Sequence, residues 1–165
     1  MKINFKRTLL CGLLLLFAAP TLANDLNFSM GGGYPFIAVP EVSIINTEQN
    51  SRWHINYKVG LDDGFGLGFE QAISENNKHA VGVFLGAIGV HEEDSPCSDQ
   101  AQAIDCLIGN LFDEEVTNGL GLSYAYYFSA INNDGWHVKL EAGYGEGQKS
   151  ETRRSDASIR ISYQF

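Results

Sequence analysis

Apolar and polar residues alternate at every second position over much of the chain. The clearest case is the segment 157–165, where Ala157, Ile159, Ile161, Tyr163 and Phe165 share one face and polar residues stand between them. A period of two is typical of a β-strand with one apolar and one polar face. This segment therefore predicts a strand that ends on Phe165.

The same alternation predicts seven further strands, separated by polar turns such as Asp62-Asp63-Gly64. The second strand is the weakest because Pro35 and Pro40 lie in or beside it, and proline cannot donate to a strand ladder. The predicted strands cover residues 26–34, 36–45, 52–61, 65–70, 79–90, 119–128 and 136–144.

The fifth strand, 79–90, is apolar on both faces, so its orientation is ambiguous. We expect Val81, Val83 and Leu85 to face outward. Aromatic residues fall near the ends of the predicted strands, as in the aromatic girdles of membrane proteins. We expect Tyr34, Phe36 and Phe65 near the outer rim, and Trp53, Phe128, Trp136 and Phe165 near the inner rim.

Short polar turns at 46–50, 74–78 and 132–135 alternate with long connections at 90–116 and 145–155. Short turns on one side and long loops on the other are typical of transmembrane barrels. The pattern predicts an all-β fold, an eight-stranded antiparallel transmembrane β-barrel with up-and-down meander topology. A soluble β-sandwich is the alternative, but its apolar faces would have to meet and it needs no aromatic bands.

Residues 1–23 have the features of a cleaved secretory signal peptide. Lys2, Lys6 and Arg7 are followed by the apolar stretch Leu9 to Phe17 and by the small residues of Thr21-Leu22-Ala23. The stretch is shorter than the roughly 20 residues of a membrane-spanning helix. We therefore expect the folded domain to be 24–165. Cys11 raises a lipoprotein alternative, which the large residues before it disfavour.

Three of the 11 basic residues and none of the 20 acidic residues lie in 1–23, so the remaining chain has a net charge of −12. Nucleic acid is a polyanion that binds basic surfaces. The charge therefore excludes nucleic acid as an expected partner.

The strand at 157–165, with its aromatic residues and final Phe165, resembles the closing strand of bacterial outer-membrane barrels. With eight strands, the chain resembles the membrane domain of outer membrane protein A and its relatives. The resemblance implies the cell outer membrane of a Gram-negative bacterium, contact with outer-membrane lipid and lipopolysaccharide, and a signal read by the barrel-assembly machinery. That signal would be Ile159, Ile161, Tyr163 and Phe165. Since such barrels serve many functions, the fold does not fix the function.

The predicted inward faces collect nine ionisable residues. Because side chains fill the interior of an eight-stranded barrel, we expect them to pack as a polar plug, with Glu141 near Arg160 and Lys58 near Glu70. A gated pore or proton path is the alternative. The nine residues are Glu41, Arg52, His54, Lys58, Glu70, His137, Lys139, Glu141 and Arg160.

The loop 91–115 is acidic and contains Cys97 and Cys106. In an exported chain we expect these cysteines to form a disulfide, with two free thiols as the alternative. The acidic residues lack the regular spacing of a calcium loop, so a solvated acidic loop is favoured. This loop is the expected site of an extracellular partner. Lys149, Arg153 and Arg154 in the last loop either meet lipopolysaccharide phosphates or are simply exposed.

No catalytic, cofactor or metal site is expected. Lipid A deacylases of this architecture have a His and a Ser two positions apart, and no histidine of this chain has such a neighbour. Zinc-type spacing is also absent. We therefore expect a non-enzymatic structural or surface-interaction protein. The alternatives are a conduit for small apolar molecules, if Phe84 and Ile88 line a cavity, and an enzyme that modifies lipid A or phospholipid.

Overall fold

The computed structural model describes residues 24–60, 62–92 and 114–165, which form eight antiparallel strands closed into a barrel. Each strand pairs with the next along the chain, and the last pairs with the first. The predicted all-β, eight-stranded meander is confirmed. Among the described residues, no helix is long and apolar enough to cross a membrane. The strands are β1 (Asn24–Tyr34), β2 (Val39–Asn46), β3 (Ser51–Lys58), β4 (Gly64–Ala72), β5 (His79–Glu92), β6 (Glu114–Tyr127), β7 (Gly135–Gly147) and β8 (Arg153–Gln164).

The side chains of each strand alternate between the outside of the barrel and its lumen. On β3, Trp53 and Ile55 are exposed while Arg52 and His54 are buried. On β5, where the sequence was ambiguous, Val81, Val83 and Leu85 are exposed as predicted, and Ala80 and Phe84 are buried. Every strand therefore turns large apolar side chains away from the lumen, and β5 also turns apolar side chains inward.

The two ends of the barrel differ in construction. At one end, called the turn end here, the connections 47–50, 73–78 and 128–134 join strands 2 to 3, 4 to 5 and 6 to 7. At the other, called the loop end, lie the connections 35–38, 59–63 and 148–152 and the last residues of β5. Strands β5 to β8 have 12 to 14 residues and β1 to β4 have 8 to 11.

The strands extend further into the predicted loops than the alternation indicated. His91 and Glu92 belong to β5, Glu114 and Glu115 belong to β6, and the last loop shrinks to 148–152. These strand ends are polar on both faces, so they carry no period-two signal. Backbone pairing, which does not depend on apolar side chains, continues through them.

The position of Phe36 differs from the one predicted for it in the outer aromatic girdle. It is 3% exposed and packs in a cluster with Val39, Ala87 and Val116 at the loop end of the lumen. The reason is that β2 begins only at Val39, so Phe36 lies in a connection where strand alternation does not apply. The prediction that it faces outward is wrong.

Glycines make room for the large side chains that point inward. A methyl group on Gly68 would lie 2.5 Å from the His54 ring, and one on Gly121 would lie 2.5 Å from the Phe84 ring. Both distances are far inside van der Waals contact. These two positions therefore hold glycine because a neighbouring strand's ring occupies the space above them.

Candidate functional site

The structure places all nine ionisable residues of the expected plug inside the barrel. Each is at most 5% exposed. They come from β2, β3, β4, β7 and β8, because the alternation of these strands points every second side chain into the lumen. The nine residues are Glu41, Arg52, His54, Lys58, Glu70, His137, Lys139, Glu141 and Arg160.

Glu41 is the centre of the network. Its carboxylate forms ion pairs with the guanidinium groups of Arg52 and Arg160, and the ammonium of Lys139 lies 3.6 Å away. Asn56 donates to the same carboxylate at 3.2 Å. Several donors around one buried carboxylate are what such a charge needs to be tolerated without water.

Glu70 forms the second node, nearer the turn end. It pairs with Lys139, and Arg52 Nε lies 3.7 Å from it. The hydroxyl of Tyr127 donates to Glu70 at 2.7 Å and accepts from Arg52 at 3.0 Å. Tyr127 was placed inward by its position in the strand but was not predicted as part of the plug, because it carries no charge.

Glu141 forms the third node. Lys58 donates to it at 2.5 Å, Ser158 donates at 3.2 Å, and Arg160 lies 3.9 Å away. The predicted approach of Glu141 and Arg160 is therefore observed. The predicted pairing of Lys58 with Glu70 is wrong, because Lys58 reaches across the lumen from β3 to β7 instead of contacting the adjacent strand.

Apolar clusters close the lumen at both ends of this network. At the loop end, Phe36 packs with Val39, Ala87 and Val116. At the turn end, Ile131 packs with residues of β5 and β6 and is fully buried, and Gln164 donates to its backbone oxygen at 3.2 Å. Each carboxylate at the three nodes is paired with at least one basic side chain.

A second polar cluster lies at the loop end, above the apolar closure. The carboxylate of Glu115 accepts from the backbone N–H groups of Lys149 and Ser150 and from the Ser150 hydroxyl, and it pairs with Arg154 at 3.0 Å. Burial alone would raise the pKa of Glu115. The hydrogen bonds from Ser150, Lys149 and Arg154 outweigh this effect and lower the pKa to about 2. This cluster fastens the β7–β8 loop to β6.

The structure also places the predicted assembly signal and the basic residues of the predicted last loop. The residues of the expected assembly signal, Ile159, Ile161, Tyr163 and Phe165, lie on the outward face of β8 and at its end. Tyr163 packs edge-to-face against Trp136 with ring centroids 5.3 Å apart. Among the last-loop cations, Arg154 is turned toward Glu115 and Arg153 is exposed beside Glu146. The predicted signal peptide, 1–23, and the predicted Cys97–Cys106 disulfide lie outside the described residues.

Within residues 24–60, 62–92 and 114–165, no group of three or more His, Cys, Asp or Glu side chains is placed to hold a metal ion. In comparisons with known proteins, no protein-family model, no curated protein and no solved structure matches the chain.

Proposed function

We propose that the protein is a non-enzymatic outer-membrane barrel of a Gram-negative bacterium, with a structural or surface-interaction role exercised at its loop end. The observation that carries the proposal is that apolar side chains lie on the outside of the barrel and charged side chains on the inside. Every strand exposes large apolar side chains on the outside, while nine ionisable side chains are buried in the lumen. A protein surrounded by water would be expected to have the opposite arrangement.

The outside of the barrel supports a membrane location. An apolar surface that encircles the whole barrel is far larger than the patches found on water-soluble monomers. Its strands have 8 to 14 residues, a range that includes the roughly 9 to 11 residues needed to cross a bilayer at a tilt. Exposed aromatic residues lie toward both ends, with Tyr34, Phe65 and Tyr144 toward the loop end and Trp136 and Phe165 toward the turn end. The short turns then face the periplasm and the loop end faces outward.

The lumen supports a role without transport. A conduit requires a path through the barrel. The Phe36 cluster, the ion-paired centre and the Ile131 cluster lie at successive levels of the lumen, which supports a filled interior. Phe84 and Ile88, which the conduit alternative needs as cavity walls, are packed and at most 3% exposed. The interior therefore acts as a core that stabilises the barrel.

With the lumen filled, the loop end is the surface left for interactions. His91 and Glu115, the two ends of the segment 91–115 that we expect to bind an extracellular partner, lie at this end of the barrel. Lys149 in the last loop and Arg153, the first residue of β8, have side chains 61% and 73% exposed. Exposed cations at this level fit contact with the phosphates of lipopolysaccharide. Outer-membrane lipid and the barrel-assembly machinery complete the set of expected partners.

Cysteine labelling tests the location and orientation. Single cysteines replace Glu75 in a turn-end connection or Gln148 in a loop-end connection, both exposed, in a Cys97→Ser, Cys106→Ser background. A large maleimide added to intact cells should label Gln148→Cys at once and Glu75→Cys only after the outer membrane is permeabilised. Equal labelling of both without permeabilisation would refute the proposed topology.

Lipid mass spectrometry tests the absence of catalysis. Outer membranes from cells with and without the protein should have the same lipid A and phospholipid masses. A defined change, such as the loss of one acyl chain, would make the protein an enzyme. The purified barrel should also show no steady conductance in planar bilayers, and a stable open channel there would contradict a filled lumen.

A further inference from the structure

An apolar groove runs along the outside of β4, β5 and β6. Its volume is about 480 Å³, and its lining residues include Phe69, Val81, Val83 and Leu122. Val83 forms the floor because it stands in register between two larger side chains, Phe69 on β4 and Leu122 on β6. Val81, two positions along, is likewise flanked by Tyr124 of β6.

The groove leads to polar groups at the turn end. His79, the first residue of β5, continues the outward row of Val81 and Val83, and its Nδ1 lies 2.7 Å from the hydroxyl of Tyr124. The distance from Val83 to His79 along the strand is roughly 13 Å. The other ring nitrogen of His79 has no partner among the described residues, so it is available to a group at the mouth of the groove.

A basic residue adjoins the same end of the groove in the chain. Lys78 precedes His79 and is the only Lys or Arg in the turn-end connections 47–50, 73–78 and 128–134. The other charged residues there, Glu48, Glu75 and Asp134, are acidic. Positive charge at a membrane surface attracts anionic lipid headgroups. The groove therefore ends beside the one basic residue of the described turn-end connections.

We propose that this groove binds one acyl chain of an anionic phospholipid from the periplasmic leaflet, with the phosphate beside Lys78 and His79. The inference rests on the proposed function, which places the turn end at that leaflet. The acyl chain covers the valine floor between Phe69 and Leu122, and the phosphate accepts from the ammonium and from the imidazole. The lipid is thereby retained at one position on the barrel instead of exchanging as part of the surrounding bilayer.

The two tryptophans of the chain serve as reporters. Trp53 packs on Phe69, a wall of the groove, with ring centroids 4.9 Å apart, whereas Trp136 packs on Tyr163 of β8. The variants W136F and W53F each leave one reporter. In zwitterionic vesicles that contain a small fraction of phosphatidylglycerol with brominated chains, Trp53 should be quenched several-fold more than that fraction predicts. Trp136 should be quenched only in proportion to it.

Two variants in the W136F background test the two parts of the site. Val83→Phe fills the groove, Lys78→Ala removes the charge, and each should return Trp53 quenching to the proportional level. Met30→Phe, which adds a ring to an exposed position on β1, is the matched control and should leave the enrichment unchanged. Brominated phosphatidylcholine at the same fraction should give no enrichment.

The alternative outcomes are distinct. Proportional quenching of both tryptophans would overturn the lipid site while leaving the membrane barrel intact. Enrichment that survives Lys78→Ala would overturn the role of the phosphate. Loss of a chemically cross-linked dimer in Val83→Phe, without any quenching enrichment, would overturn the site by assigning the groove to a second copy. If neither tryptophan is quenched and the protein does not float with the vesicles, the proposed function itself fails.

Discussion

The centre of the lumen and the loop end contain the same kind of contact, carboxylates paired with basic side chains, in different surroundings. In the centre, the side chains of Glu41 and Arg52 are at most 1% exposed. At the loop end, Glu115 and Arg154 are 10% and 14% exposed, and the Arg153–Glu146 pair lies almost in the open. The comparison shows that the surroundings of an ion pair decide how strongly the fold depends on it.

The physical reason is the cost of removing a charge from water. A buried ion that loses its partner keeps that cost and has nothing to offset it, which destabilises a fold by about 3–5 kcal/mol. An exposed pair gains little because water and salt already screen both charges. The expected effects of substitution therefore decrease from the lumen outward.

The largest effect is expected for Glu41→Ala. This change leaves Arg52 and Arg160 facing each other without the carboxylate between them, so the free energy of unfolding should fall by about 3–5 kcal/mol. Urea unfolding in lipid vesicles, followed by tryptophan fluorescence and by gel mobility without boiling, measures it. Glu41→Gln, which keeps the shape, separates the charge from the packing. A loss below about 1 kcal/mol would show that the lumen charges are hydrated after all.

Substitutions of Lys58 and Glu141 distinguish the net contribution of this ion pair to stability from the destabilisation caused by leaving one charge unpaired. Lys58→Met and Glu141→Leu should each destabilise the barrel by about 3 kcal/mol, because each leaves one buried charge alone. The double variant should recover most of that loss, since no charge remains. The same unfolding assay completes the double-mutant cycle. Additive losses would mean that the two residues do not interact.

At the loop end, Glu115→Gln should cost about 1–2 kcal/mol, because charge-assisted hydrogen bonds to Lys149 and Ser150 become weaker neutral ones. Hydrogen exchange of these two amides should accelerate, while amides of the central strands stay protected. Unchanged exchange in the loop would show that Glu115 does not hold it.

Acid should release the same loop. The pKa of Glu115 is lowered to about 2, below the roughly 4.3 of an unperturbed glutamate. The stabilisation by its charged form is therefore complete above about pH 4.3 and is lost as the pH falls toward 2. Protection of the Lys149 and Ser150 amides, measured by NMR in micelles, should follow that range. Loss of protection between pH 5 and 7 would disagree with this assignment.

The smallest effect is expected for Arg153→Ala. Its ion pair with Glu146 joins side chains that are 73% and 49% exposed, so the change in unfolding free energy should stay below about 0.5 kcal/mol. Added salt should remove even that difference. A loss of unfolding free energy as large as that of Glu115→Gln would contradict the expected decrease in effect from the lumen to the surface.

Much of the barrel could be predicted because the alternation of side chains depends only on the local backbone conformation. In a strand, successive side chains point to opposite faces, so alternation alone gives the number of strands and the inward or outward position of residues such as Trp53 and Arg52. It failed where the backbone leaves the strand, at Phe36, and where both faces are polar, at Glu115. In both places the side-chain pattern no longer reports the backbone conformation.

The order of residues along the chain is enough to give eight alternating strands whose inward faces share basic and acidic side chains. The partners of these side chains depend on the fold: Lys58 meets Glu141 across the lumen, and Tyr127 joins Arg52 to Glu70. The fold also places Ile131 in the apolar cluster at the turn end, and Val81 and Val83 beside Phe69 in the outer groove. The reason is that long side chains in a narrow barrel reach past the neighbouring strand, so their contacts depend on the closure and stagger of the whole sheet.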